Sequence, residues 1–122
     1  MYNRIIACVT GAPSSIEVVK VALAISTPST KLTLLHVVKK LDETVRKKAI
    51  KDLSRAKKES DGMSGCSHKF IVSSDVKKAI VSYAKEESAD AIIIGFSSSM
   101  LGNISKFVLS KSPCTVILVR QK

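Results

Sequence analysis

The sequence predicts an α/β fold: an open doubly wound sheet of five parallel strands with helices on both faces. Three features predict it. Short apolar runs are continuous rather than alternating, as in strands covered on both sides. Segments with helical periodicity lie between them. The resulting order, βαβαβαβαβ, implies right-handed parallel crossovers.

Each element follows in turn. Ile5-Ile6-Ala7-Cys8-Val9 is the first strand. Ser14 to Ile25 is a helix with apolar residues at Ile16, Val19 and Leu23 and again at Val18, Ala22 and Ile25. Its only charges are Glu17 and Lys20, so it is largely buried; Ser14 or Ser15 caps it after Pro13. Leu32 to Val38 is the second strand. Leu41 to Ser60 is a helix with a narrow stripe of Val45, Ala49, Leu53 and Ala56. Asp42 and Glu43 at its start and Lys57 and Lys58 near its end suit the helix dipole. Ser60 to Gly65 reads as a loop. Lys69 to Val72 is a weaker strand near an edge. Asp75 to Glu87 carries Val76, Ile80, Tyr83 and Ala84 on one helical face. Ala91 to Ile94 is the fourth strand, Asn103 to Lys111 a helix with Ile104, Phe107 and Val108, and Thr115 to Val119 the last strand.

Composition narrows the function. At 122 residues the chain fits one domain, and 45% apolar with 25% charged residues excludes disorder. No apolar run approaches the roughly 20 residues of a membrane span. Arg4 is followed by only five apolar residues before Thr10, too few for a signal peptide. A soluble cytoplasmic protein is expected. Twenty basic against ten acidic residues give a charge of +10, which favours anionic partners. Much of it lies between Lys39 and Lys58, mixed with Asp42, Glu43 and Asp52, as on a solvated helix face. Lys outnumbers Arg 16 to 4, and there is no Trp. Nucleic-acid binding is therefore a minor, electrostatic alternative. Cys8, Cys66 and Cys114 form no CxxC pattern, and Cys8 and Cys114 read as small buried hydrophobes. With His36 and His68 they make no metal spacing. His36 reads as a packed strand residue and Asp90 as a turn or cap residue, so no catalytic group is indicated.

In such folds ligands sit at the carboxyl ends of the strands, where the strand order reverses. That directs attention to Thr10-Gly11-Ala12-Pro13 after the first strand and to Gly95 through Ser105 after the fourth. Small residues and free amides at a helix N-terminus can receive phosphate oxygens. Neither a Walker A motif nor GxGxxG is present.

From Gly102 to Arg120 the chain runs through a glycine, a short helix, a Pro113-Cys114 turn and an apolar strand ending in arginine. This stretch resembles the universal stress protein family. Leu35-His36-Val37-Val38 and Ala89-Asp90-Ala91-Ile92-Ile93-Ile94-Gly95 are similar to that family's second and fourth strands. The resemblance implies strand order 3-2-1-4-5, an adenine nucleotide alpha-hydrolase-like, Rossmann-like sheet. ATP-binding members carry G-x2-G-x9-G-[ST] after strand four. Gly95 and Gly102 match its outer glycines, Ser98 stands at the middle one, and Asn103 takes the Ser/Thr place. Three residues separate Ser98 from Gly102 where the motif has nine. Ser105 matches a second hydroxyl position. Thr10 stands before Gly11 where nucleotide-binding members have aspartate.

These departures imply a reduced or lost ATP site. The shorter loop offers fewer amides, and Thr10 supplies no anionic acceptor. The residues the resemblance assigns are Thr10, Gly11, Val37, Gly95, Ser98, Gly102, Asn103 and Ser105, with Lys106 nearby. The ligand would be ATP or another adenine nucleotide, with Mg if so, or a smaller anion. Weak ATP hydrolysis is the enzymatic alternative. Family members commonly pair their last strand across a two-fold axis. A homodimer built on Cys114, Thr115, Val116, Ile117, Leu118, Val119 and Arg120 is thus implied. The expected role is a dimeric binding or regulatory module.

Overall fold

Central strands whose side chains are buried on both faces can only be covered by helices on both sides, and the chain folds accordingly. The computed structural model describes residues 2–9, 15–38, 65–97 and 103–121, with positions 47 and 51 between them. The strands are β1 (Arg4–Cys8), β2 (Lys31–Val38), β3 (Cys66–Val72), β4 (Ala91–Ser97) and β5 (Thr115–Gln121). They form one sheet in the order β3-β2-β1-β4-β5. Every neighbouring pair is parallel, as the sequence implied. The described helices are α1 (Ser15–Ile25), α2 (Val76–Glu86) and α3 (Asn103–Lys111). None is long and apolar enough to cross a membrane.

Alternation along each strand divides the core into two layers. Ile5, Ala7, Val9, Leu32, Leu34, Ala91 and Ile93 pack beneath Val18, Val19 and Ala22 of α1. Ile6, Cys8, Leu35, Ile92 and Ile94 face the other way, against Ile80, Val81 and Ala84 of α2 and Val108 of α3. Each fully buried Leu, Ile or Val contributes roughly 1.5–3 kcal/mol.

β3 and β4 each run three residues longer than their composition suggests, and β5 continues past Val119 to Gln121. β3 begins at Cys66, because Cys66, Ser67 and His68 align with Leu32, Thr33 and Leu34 of β2. β4 continues to Ser97, so Gly95 and Phe96 belong to the strand and not to the loop after it. Their partners are Val119 and Arg120 of β5. In both cases backbone pairing decides where polar or small residues hide the pattern. β3 starts after Gly65, whose carbonyl accepts from Leu32 N at 3.0 Å. A Cβ at Gly65 would collide with the Thr30 carbonyl, so the close approach needs glycine.

α2 starts one residue after its expected first residue. Asp75 is its cap, accepting from Lys78 N at 3.3 Å. The expected helix from Leu41 to Ser60 lies outside the described residues except at positions 47 and 51, which are helical and exposed. Pro13, Ser14 and the Ser60–Ser64 part of the expected loop also lie outside them.

The amino ends of β1 and β4 are tied together by Asp90. Its Oδ2 accepts from Asn3 N and Arg4 N, both at 2.8 Å. Its own N–H donates to the Arg4 carbonyl at 2.8 Å. The Arg4 guanidinium donates to the Glu87 carbonyl at 2.9 Å. The N–H groups of Arg4 and then Asn3 hold the Asp90 carboxyl below its ordinary value of 3.8. A lowered folded value means the stabilisation is full above that ordinary value and disappears as pH falls through the folded one. Asp90→Ala should therefore lower the thermal midpoint at pH 7, with the two midpoints converging as pH falls below that ordinary value. A constant difference from pH 7 to pH 2 would contradict this role.

Candidate functional site

In the observed order, β1 leads outward through β2 to β3, while β4 leads outward to β5. α1, which follows β1, covers one face, and α3, which follows β4, covers the other. The strand order therefore reverses between β1 and β4, and in such folds the carboxyl end of that pair is the switch point where ligands sit. The β1 side is held by Val9, whose N–H donates to the Leu35 carbonyl at 2.8 Å. The β2 side continues to Val38, whose carbonyl accepts from Ser73 N at 2.8 Å.

Four of the eight expected site residues are described. Val37 is half-buried near the end of β2, packed on the α2 side. Gly95 lies within β4, opposite Val119. Asn103 opens α3 and is exposed. Ser105 is also on α3 but buried, with 5% of its surface exposed. Val37, Gly95 and Asn103 thus share the carboxyl end of the sheet, while Ser105 points inward. Thr10, Gly11, Ser98 and Gly102 lie outside the described residues.

The electrostatics of this end come from α3. The first backbone N–H groups of a helix lack intrahelical acceptors and carry a partial positive charge. No acidic residue stands in the first turn of α3 to compete for them, and Lys106 follows at once. This end of the sheet suits an anion.

One pair was not visible in the sequence as part of the site. The Arg120 guanidinium carbon lies 5.8 Å from the centroid of the Phe96 ring. Arg120 was expected at the edge-strand interface, and Phe96 in a loop. Only the β4–β5 register, which sets the two side by side, reveals their pairing.

Among the described residues, several groups that could do acid, base or nucleophilic work are placed elsewhere. Cys8 is buried, and desolvation pushes its thiol up to about 12, so no thiolate is available near neutral pH. Asp90 is at the opposite, amino end of the sheet. His36 is buried, with its ring 5.4 Å from that of Phe70. Tyr83 is raised by burial and by the Glu87 charge, while a hydrogen bond with Thr33 acts the other way. Among the described residues no three His, Cys, Asp or Glu side chains gather as a metal site. Cys114 is half-buried in the turn before β5, where its N–H donates to Ser112 Oγ at 3.2 Å. Thr115 to Arg120 lie along the outer edge strand.

The fold defines an open, doubly wound parallel α/β domain with its switch point between β1 and β4. The universal stress protein family model matches residues 1–120, and the chain belongs to that family. Solved structures agree on the fold. Hypothetical protein MJ0577 superposes with a TM-score of 0.85 at 23% identity, covering 100% of this chain and 98% of that one. A universal stress protein in complex with cAMP gives 0.75 at 23% identity, with coverage of 97% and 96%. A family protein from Arabidopsis thaliana with AMP bound gives 0.75 at 20% identity, with coverage of 98% and 92%. No curated protein matches the chain in a sequence search.

Burial distinguishes the thiols. Titration of the folded protein with a thiol-specific disulfide reagent should modify Cys66 and Cys114 quickly and Cys8 only after unfolding. Three equally fast thiols would contradict the placement of Cys8.

Proposed function

We propose that this chain is a single-domain adenine-nucleotide-binding module that assembles as a homodimer. The observation that carries the reading is the acid-free N-terminus of α3 at the carboxyl end of β4, in a chain of this family. Solved universal stress proteins with cAMP and with AMP lend support, since they share the same fold. In this reading the nucleotide lies across the switch point. Thr10, Gly11 and Val37 take the nucleoside side. Gly95, Ser98, Gly102, Asn103 and Ser105 take the phosphate side. The short Ser98–Gly102 spacing favours one phosphate over three, and Mg would accompany only a longer phosphate chain.

Pairing through β5 follows from a contrast between the two sheet edges. β3 exposes His68 and Lys69 in mid-strand, where charge discourages pairing. β5 has no charge from Thr115 to Val119. An uncharged edge of that length invites a second strand, and a second copy offers the same edge. Binding would then act through association of the paired chains rather than through turnover.

Two measurements test these claims. Calorimetric titration with AMP is expected to give a Kd below about 100 µM, roughly −5.5 kcal/mol. No heat at millimolar AMP would overturn the nucleotide reading. Light scattering should give twice the chain mass for the unaltered protein and the single chain mass for Ile117→Lys. The variant's circular dichroism must stay unchanged. A monomeric unaltered protein would sink the dimer.

A further inference from the structure

Arg120 stands where β5, α3 and the ligand end of the sheet meet. Val116 and Leu118 pack into the layer beneath α2 and α3, and alternation puts Arg120 on that same face. Ile92 and Ile94 place Phe96 there as well. The strand register sets the two residues opposite each other, and the guanidinium lies over the ring at 5.8 Å. Stacking holds an arginine in place while leaving its in-plane N–H donors free. The side chain is exposed. Among the described residues no carboxylate pairs with it: Asp75 is bridged to Lys77 and Lys78, at 3.8 and 3.9 Å. No Asp or Glu follows Asp90 in the sequence, so the β4–α3–β5 part of the chain is purely basic. Arg4, by contrast, is engaged with the Glu87 carbonyl at the far end of the sheet.

We infer that Arg120 reads the ligand's phosphate at the switch-point site. Its guanidinium, pinned over Phe96, donates two parallel N–H···O bonds to a phosphate on the α3 side. The inference rests on the nucleotide reading and adds to it the side chain that recognises the charged group. Strand pairing leaves this role intact. A second copy would use the β5 backbone edge, whereas the Arg120 side chain lies on the sheet face.

The test is calorimetric titration of AMP and of adenosine into the full chain and its variants. Arg120→Gln should weaken AMP about tenfold or more, as expected for lost charge-assisted bonds, and leave adenosine unchanged. Arg120→Lys should recover part of the loss, since it restores charge without the fork. It also tests the same point if the Gln variant fails to fold. Lys85→Gln makes an equal charge change on an exposed site of α2 and should change neither affinity. Equal AMP affinity for the unaltered chain and Arg120→Gln overturns this inference alone. Equal loss of AMP and adenosine gives Arg120 a purely structural role and overturns it too. No AMP binding by the unaltered chain removes the nucleotide reading and this inference together.

Discussion

Burial of the β1–β4 pair on both faces is the constraint on which the structure depends. Ile5, Ala7 and Ile93 need cover from α1, and Ile6, Ile92 and Ile94 need it from α2 and α3. Each strand must therefore be followed by a helix on a defined side. β1 is followed by a helix on one face and β4 by a helix on the other, so the strand order reverses between them. The switch point is a consequence of how the core is covered, before any ligand-specific residue is chosen.

The two ends of the central strands are then put to different uses. At the amino end, Asp90 closes β4 against β1 by accepting two backbone N–H groups, and Arg4 closes it again on Glu87. Polar groups there are satisfied within the chain. At the carboxyl end the α3 N-terminus has no acid in its first turn, and Arg120 rests on a phenyl ring rather than on a carboxylate. Among the described residues, neither the α3 N-terminus nor Arg120 is paired with a carboxylate. Such an asymmetry is what an anion-binding α/β domain requires.

Much of this was legible in the residues, for identifiable reasons. β1, β2, β4 and β5 announce themselves because both faces are apolar, so continuous runs mark them. α1, α2 and α3 fall within a residue of their expected limits because their apolar spacing marks them, with the Asp75 cap fixing the start of α2. The resemblance carried in Gly102–Arg120 led to the family and the strand order, and both stand. The start of β3 was not legible, since Ser67 and His68 face solvent at an edge and carry no apolar signal. The end of β4 was hidden because Gly95 and Ser97 read as turn residues until β5 pairs with them. Of the site, Val37, Gly95 and Asn103 are found at the expected end of the sheet. Ser105 turns into the core, since its place on α3 is next to buried Val108. The Phe96–Arg120 pair is a cross-strand contact, which no reading of local pattern can supply.

The central claim is that binding belongs to the carboxyl end of the β1–β4 pair. Amide chemical shifts of the isotopically labelled chain, followed as AMP is added, test it most directly. The expected perturbations fall on Val9, Val37, Gly95, Phe96 and Asn103, with Asn3, Lys31 and Asp90 unmoved. Shifts concentrated at Asn3, Lys31 and Asp90, or spread evenly over the lysines of the surface, would contradict it.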